Sequence, residues 1–118
     1  LDTVVKLKKE FPLFRIYSGE DGYFDEGFDI GMDGLISVMG HFNMEKLQRF
    51  IKEGRKDNRL RKELYKEASL TFCDASPAPV KYLLSRKKEC ENILRLPMCA
   101  INREKELLLS SYFDNEEE

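Results

Sequence analysis

Two short apolar runs, each followed by small and polar residues, are the feature that most constrains how this chain can fold. The first run covers residues 13–17 (LFRIY) and the second covers residues 34–38 (GLISV). Both are apolar on both faces, which is typical of buried parallel strands. The connection is too long for a tight hairpin, and its phenylalanines and glycines between residues 24 and 31 recur at helical spacing. The sequence therefore predicts a right-handed parallel βαβ unit.

A pair of buried parallel strands does not make a stable sheet by itself. Its outer edges carry unpaired N–H and C=O groups, and two-stranded sheets are marginal in water. The pattern after residue 38 is helical, so no further strand is predicted in the chain. We therefore expect part of a larger sheet, whose open edges are covered by an additional segment or by another copy of the chain.

Capping residues and helical periodicity divide the rest of the chain into helices. Pro12 is expected to end the first helix, and Gly54 the one after the second strand. The residues predicted to cap helix N-termini are Asp2, Asp21, Asn43, Asp57 or Asn58, and Asn102. The acidic residues 114–118 at the end of the chain are expected to fray.

The composition excludes several classes of function. The net charge is −2 and the basic residues are spread among acidic ones, so no basic surface for nucleic acid is predicted. No apolar run is long enough to span a membrane. The 3 cysteines form no C-x-x-C pair, and the single histidine has no partner at ligand spacing. We therefore expect a cytoplasmic protein with reduced thiols, no metal and no cofactor. Leu1 is not an initiator Met and resembles no signal peptide, so we expect the natural start to lie upstream.

Four short motifs, in order along the chain, resemble the dihydrodipicolinate synthase family. IYSGED (residues 16–21) and GLISV (residues 34–38) are similar to that family's last two barrel strands. SPAPVK (residues 76–81) and RLPM (residues 95–98) are similar to its C-terminal helical segment. The resemblance implies an α/β fold, the C-terminal portion of a (β/α)₈ TIM barrel, which has about 250 residues when complete. Residues 1–54 then form the last two parallel strands with their helices, and residues 55–118 form the C-terminal α-helical segment.

The resemblance also implies an activity of the parent protein. That family condenses pyruvate with aspartate semialdehyde through a Schiff base, in lysine biosynthesis. Its Schiff-base lysine lies on the sixth strand, which falls upstream of Leu1, and its proton-relay residues and carboxylate-binding arginine lie on earlier strands. No lysine of this chain falls in a predicted strand, and Lys81 is interpreted as structural. We therefore predict no catalytic residue in this chain and no aldol activity of the chain alone.

Residues that border the substrates are the contribution that the resemblance implies for this chain. The main chain of Ile36 holds the pyruvate moiety, while Gly19 and Glu20 border the second substrate. Barrel enzymes bind substrates at the C-terminal ends of their strands, and glycine permits close approach of a ligand to the backbone. His41 replaces an asparagine that is common in the family. It could exchange protons near neutral pH, but a loop histidine more often only bonds its neighbours.

Three alternatives remain open. The parent could be a related pyruvate-dependent lyase for N-acetylneuraminate or keto-deoxy sugar acids, which shares the barrel and the Schiff base. The chain could be a non-catalytic half-barrel that acts as an assembly module. It could also be an α-rich domain unrelated to the barrel. For the enzyme, the expected partners are pyruvate, the upstream barrel segment and further copies of the chain in a homo-oligomer, since the family is commonly tetrameric.

Overall fold

The structure, a computed structural model, describes residues 1–116. Short strands at the start of the chain are followed by helices. In chain order the elements are α1 (Asp2–Glu10), β1 (Tyr17–Ser18), a 3₁₀ turn (Asp21–Tyr23), α2 (Phe24–Asp29), β2 (Gly34–Leu35), α3 (Gly40–Lys52), α4 (Asn58–Thr71), α5 (Ala78–Arg86), α6 (Arg103–Phe113) and a 3₁₀ turn (Asp114–Glu116). Residues 117 and 118, the end of the acidic tail expected to fray, lie outside the described residues.

The two strands pair in parallel, as predicted. Tyr17 pairs with Gly34, and Ser18 with Leu35. The N–H of Ile36 continues the ladder by donating to the Ser18 carbonyl at 2.8 Å. A Cβ at Gly34 would lie 2.8 Å from the ring of Tyr17, so the pair leaves no room for a larger residue at that position. The α2 helix lies in the connection, which confirms the βαβ unit.

The prediction that residues 13–17 and 34–38 form buried strands is wrong for this chain in two respects. The pairing covers only two residues in each strand. Leu13 is 96% exposed and Ile36, expected in the core, is 72% exposed, while Phe14 and Tyr17 are also exposed. The apolar pattern is that of buried strands, but no described part of this chain covers these side chains. These exposed side chains form a face that a further segment could cover.

The predicted caps of the later helices are confirmed. The Asp57 carboxylate accepts hydrogen bonds from the N–H groups of Arg59 and Leu60, both at 3.0 Å. The Asn102 side chain accepts one from Lys105, also at 3.0 Å. Both caps satisfy N–H groups of a first helical turn, which have no partner within the helix.

The predicted caps of α1 and α3 are wrong. Leu1, not Asp2, precedes the first turn of α1. The α3 helix begins at Gly40 after Met39, and Asn43 lies inside it with φ −137° and ψ 30°, where the helix kinks. The Asn43 amide donates to the buried carboxylate of Glu67 on α4 instead of capping its own helix. A contact 24 residues away therefore replaces the local one that the sequence favours.

The core lies between the helices and consists of two apolar clusters. The first is Phe24, Met39, Leu47, Phe50, Leu60, Leu64 and Ala68, from α2 to α4. The second is Leu70, Ala78, Tyr82, Leu83, Ile101 and Leu109, from α4 to α6. Because α4 contributes to both, the helices form one continuous layer. Leu35 of β2 packs against the first cluster, and Ser18 of β1 is buried.

The described residues also bear on membranes, thiols and metals. Within residues 1–116, no helix is both long and apolar enough to cross a bilayer. Cys73, Cys90 and Cys99 are free thiols. In the same range, no group of three or more His, Cys, Asp and Glu residues is placed to hold a metal ion.

Candidate functional site

The residues predicted to border the substrates lie in the loops that follow the two strands. The first loop runs from Ser18 through Gly19 and Glu20 into the 3₁₀ turn, and the second runs from Ile36 to the start of α3. Because the strands are parallel and adjacent, both loops leave the same edge of the sheet. In a barrel this edge carries the active site. We call residues 18–21 the first loop and residues 36–39 the second loop.

The first loop is held by its own polar groups. The Ser18 hydroxyl accepts from the N–H of Glu20 at 3.2 Å and donates to its carbonyl at 3.3 Å. The Glu20 carboxylate accepts from the N–H of Gly22 at 3.0 Å, so Glu20 caps the 3₁₀ turn. A Cβ built at Gly19 meets nothing within 4 Å, so the space beside its backbone is open. Nothing within the described chain requires glycine at this position.

The sequence predicts that Asp21 caps its own helix. In the structure its side chain instead reaches across to the second loop. Its side chain is buried, and Oδ2 accepts a hydrogen bond from the N–H of Met39 at 2.8 Å. Met39 immediately precedes the first turn of α3. Glu20 therefore takes the capping role expected of Asp21, and Asp21 joins the two loops.

The second loop presents Ile36 with its N–H already engaged. That N–H donates to Ser18, which leaves the Ile36 carbonyl as the main-chain group of this residue for a ligand. Ser37 caps α3 locally, since its hydroxyl accepts from the N–H of Gly40 at 2.9 Å. His41 is exposed in the first turn of α3, and its N–H donates to the Val38 carbonyl at 3.1 Å. These contacts make His41 an ordinary first-turn residue.

Lysine is absent from both strands, and Lys81 occupies a helix. It lies on α5, half-buried, with its N–H donating to Pro77 and its carbonyl accepting from the Cys90 thiol. These backbone contacts are those of a structural helix residue. The structural role of the Lys81 amine stays a prediction.

The opposite end of the strand pair is held by an ion pair. The Asp33 carboxylate accepts from Lys8 at 2.6 Å and from the N–H of Ile16 at 2.8 Å. These hydrogen bonds, that from Lys8 first, hold the pKa of Asp33 below its ordinary value. Lys8 also donates to the Phe14 carbonyl at 2.9 Å, which ties α1 to the segment before β1. The starts of both strands are therefore fixed to each other and to α1.

Sequence reasoning missed the contact between Asp21 and Met39. The acceptor and the donor are 18 residues apart, and no local pattern links them. The cap of α3 by Ser37 did have a local signal, because a serine three residues before a helical N–H is a common capping arrangement. The sequence pattern instead predicted Asn43, six residues later, as the cap of this helix.

Comparison with known proteins identifies what this arrangement is similar to. The profile of the dihydrodipicolinate synthetase family matches residues 1–115. A 4-hydroxy-tetrahydrodipicolinate synthase of Pelodictyon phaeoclathratiforme is 30% identical over 98% of this chain and 41% of its own length. A second such synthase, of Clostridium acetobutylicum, is 35% identical over 75% of this chain and 33% of its own length. The match excludes an α-rich domain unrelated to that family.

The fold of this chain is also similar to that of solved structures of the same family. The crystal structure of dihydrodipicolinate synthase from Aquifex aeolicus superposes with a TM-score of 0.88 at 24% identity, over 98% of this chain and 42% of that one. The chain thus has the fold of part of such a protein, with two parallel strands and a helix-rich remainder. It spans about two fifths of the length of the relatives that it matches.

Proposed function

Because the chain belongs to the dihydrodipicolinate synthetase family, we propose that it is the C-terminal part of a dihydrodipicolinate synthase. The parent enzyme condenses pyruvate with aspartate semialdehyde through a Schiff base, in the cytoplasm and on the route to lysine. The observation that carries this proposal is the family match over residues 1–115, together with a parallel strand pair whose loops leave one edge. The family relation supports the reaction, and the arrangement of the two loops supports the part that we propose for this chain.

The part of this chain is to form one wall of the substrate site. We propose that the Ile36 carbonyl contacts the pyruvate moiety, since the N–H of this residue is already used in the strand ladder. The open space beside Gly19 admits the second substrate, and Glu20 borders it. The Schiff-base lysine lies in the upstream segment, since an attacking amine must be desolvated and neutral, and the strands here contain no lysine.

The exposed apolar side chains near the strands support the proposal that another polypeptide segment packs against this chain. Leu13, Phe14 and Ile36 are largely exposed, although each is a residue type usually found inside proteins. We propose that the remaining barrel segment covers them, and that the complete enzyme forms a homo-oligomer. If the segment is absent in nature, a second copy of the chain is the alternative cover.

The test is to trap pyruvate on the protein with borohydride and measure the intact mass. Condensation of a lysine amine with the pyruvate carbonyl releases water and forms an imine. Hydride from borohydride reduces that imine to a stable secondary amine. The complete protein should gain one reduced pyruvyl group, and this chain alone should gain none. The same samples without borohydride are the control.

Three outcomes would contradict parts of the proposal. An adduct on this chain alone, for example at Lys81, would show that the chain holds its own reactive amine. An adduct on a complete protein that cleaves N-acetylneuraminate and ignores aspartate semialdehyde would identify one of the related lyases. A native protein with the mass of this chain, no adduct and a stable self-association would identify the half-barrel module.

A further inference from the structure

A buried carboxylate links the two loops that border the proposed substrate site, in addition to the strand ladder. Asp21 is 1% exposed, and its contact with the N–H of Met39 is direct, at 2.8 Å. Met39 is fully buried and leads into α3, so the acceptor lies at the N-terminal end of that helix, where a negative charge is favoured. The contact therefore fixes the first loop to an element that is itself packed in the core.

Besides Asp21, the Ser18 carbonyl also reaches the second loop, because it accepts from the N–H of Ile36 at 2.8 Å in the strand ladder. The Ser18 hydroxyl bonds Glu20, and Glu20 bonds Gly22. The strand ladder fixes the start of the first loop at Ser18, and the Asp21 carboxylate fixes the end of that loop to the start of α3. The Ile36 backbone, in contrast, is positioned by the strand ladder and does not depend on this carboxylate.

We infer that Asp21 is a positioning residue, which holds Gly19 and Glu20 at a fixed distance from the start of α3. This inference rests on the proposed function, in which Gly19 and Glu20 border the aldehyde substrate. Release of the loop should therefore weaken binding of the aldehyde and leave formation of the pyruvate adduct intact.

The chemistry of the contact indicates a geometric role for Asp21. Only Oδ2 is used, and Oδ1 is buried with no hydrogen-bond partner among residues 1–116. Asparagine keeps an acceptor oxygen at the same distance from the backbone and replaces only the unpartnered oxygen. It should therefore restore most of what alanine loses.

The experiment is steady-state kinetics on the complete protein with pyruvate and aspartate semialdehyde. The variant Asp21→Ala should raise KM for the aldehyde by about tenfold, the loss expected for one hydrogen bond to a charged group. KM for pyruvate and the borohydride adduct should not change. Asp21→Asn should recover most of the aldehyde KM. Asp25→Ala is the matched control, because Asp25 is also buried but pairs with Arg55 and Arg61, both at 2.7 Å.

Each outcome separates a positioning role from a structural one. If Asp21→Ala and Asp25→Ala lower the unfolding midpoint alike and neither changes the aldehyde KM, the inference is overturned. If Asp21→Ala does not fold, Asp21→Glu decides, because the added methylene displaces the loop: an unchanged aldehyde KM overturns the inference and a raised one supports it.

A failure of the proposed function would be visible separately, as a complete protein that forms no pyruvate adduct. Amide hydrogen exchange at Met39 and Glu20 then tests the loop contact without any activity. Faster exchange in Asp21→Ala but not in Asp21→Asn supports the positioning role. Unchanged exchange in both variants overturns it.

Discussion

Replacing Leu13 with asparagine should destabilise the complete protein and leave this chain nearly unaffected when it is studied alone. Leu13 is 96% exposed here, so its side chain contributes little to the stability of the isolated chain. We expect a change within about 0.5 kcal/mol, as for most surface substitutions. In the complete protein the upstream barrel segment is proposed to cover it. Full burial of a leucine is worth about 1.5–3 kcal/mol, and a buried amide without partners costs about 1–3 kcal/mol more. The expected loss there is about 3–5 kcal/mol.

Urea unfolding followed by the helical circular dichroism signal measures both values. Leu107→Asn is the matched control, because Leu107 is also exposed but lies on α6, away from the strands. It should change the free energy of unfolding by the same small amount in both proteins. If Leu13→Asn also has equal effects in the two proteins, the upstream segment does not cover Leu13, and the reasoning from the exposed strand face is refuted.

Three further predictions concern the packing and charges of the helical layer. Phe24→Ala should lower the free energy of unfolding by about 3–5 kcal/mol, since Phe24 is fully buried in the first cluster, and urea titration of the chain measures this. Lys46→Met should lower the free energy of unfolding by about 3 kcal/mol in the same assay, because it removes the cation 2.5 Å from the buried carboxylate of Glu67. A decrease of less than about 1 kcal/mol would contradict the importance of this ion pair for stability. Lys105 donates to Asp74 at 2.8 Å and holds the pKa of that carboxyl below its ordinary value of 3.8. The stabilisation is therefore complete above about pH 4 and is lost as pH falls through the folded-state pKa. Thermal melts from pH 7 down to 2 should show an acid-side loss that is smaller in Lys105→Met, and an identical slope in the two proteins would contradict this assignment.

Local signals in the sequence predicted those features that depend on a few neighbouring residues. Asp57 and Asn102 cap α4 and α6 because each side chain reaches an N–H group two or three residues ahead. The parallel pair followed from the length of the connection and from the helical stripe within it. These features require no knowledge of distant contacts.

The features that were predicted wrongly depend on contacts far along the chain or outside it. Asn43 has the composition of a cap, yet its amide donates to Glu67 on another helix. Asp21 likewise finds its donor at Met39 in the second loop. The segment at residues 13–17 has the apolar pattern of a buried element, but no part of residues 1–116 buries Leu13 or Phe14. The burial of a strand is a property of its neighbours, which a pattern in one segment does not contain.

The distribution of the core shows how a part of a barrel can keep the geometry of its site. Both apolar clusters consist largely of helix residues, and Leu35 of β2 packs against the first of them. Two carboxylates add polar contacts at the two ends of the strand pair: Asp33 accepts from the N–H of Ile16 where the strands begin, and Asp21 accepts from the N–H of Met39 after they end. Polar contacts at the ends leave the apolar faces of the strands available to a further segment. In the complete barrel that we propose, the further segment would bury Leu13 and Ile36 and would leave these two polar contacts in place.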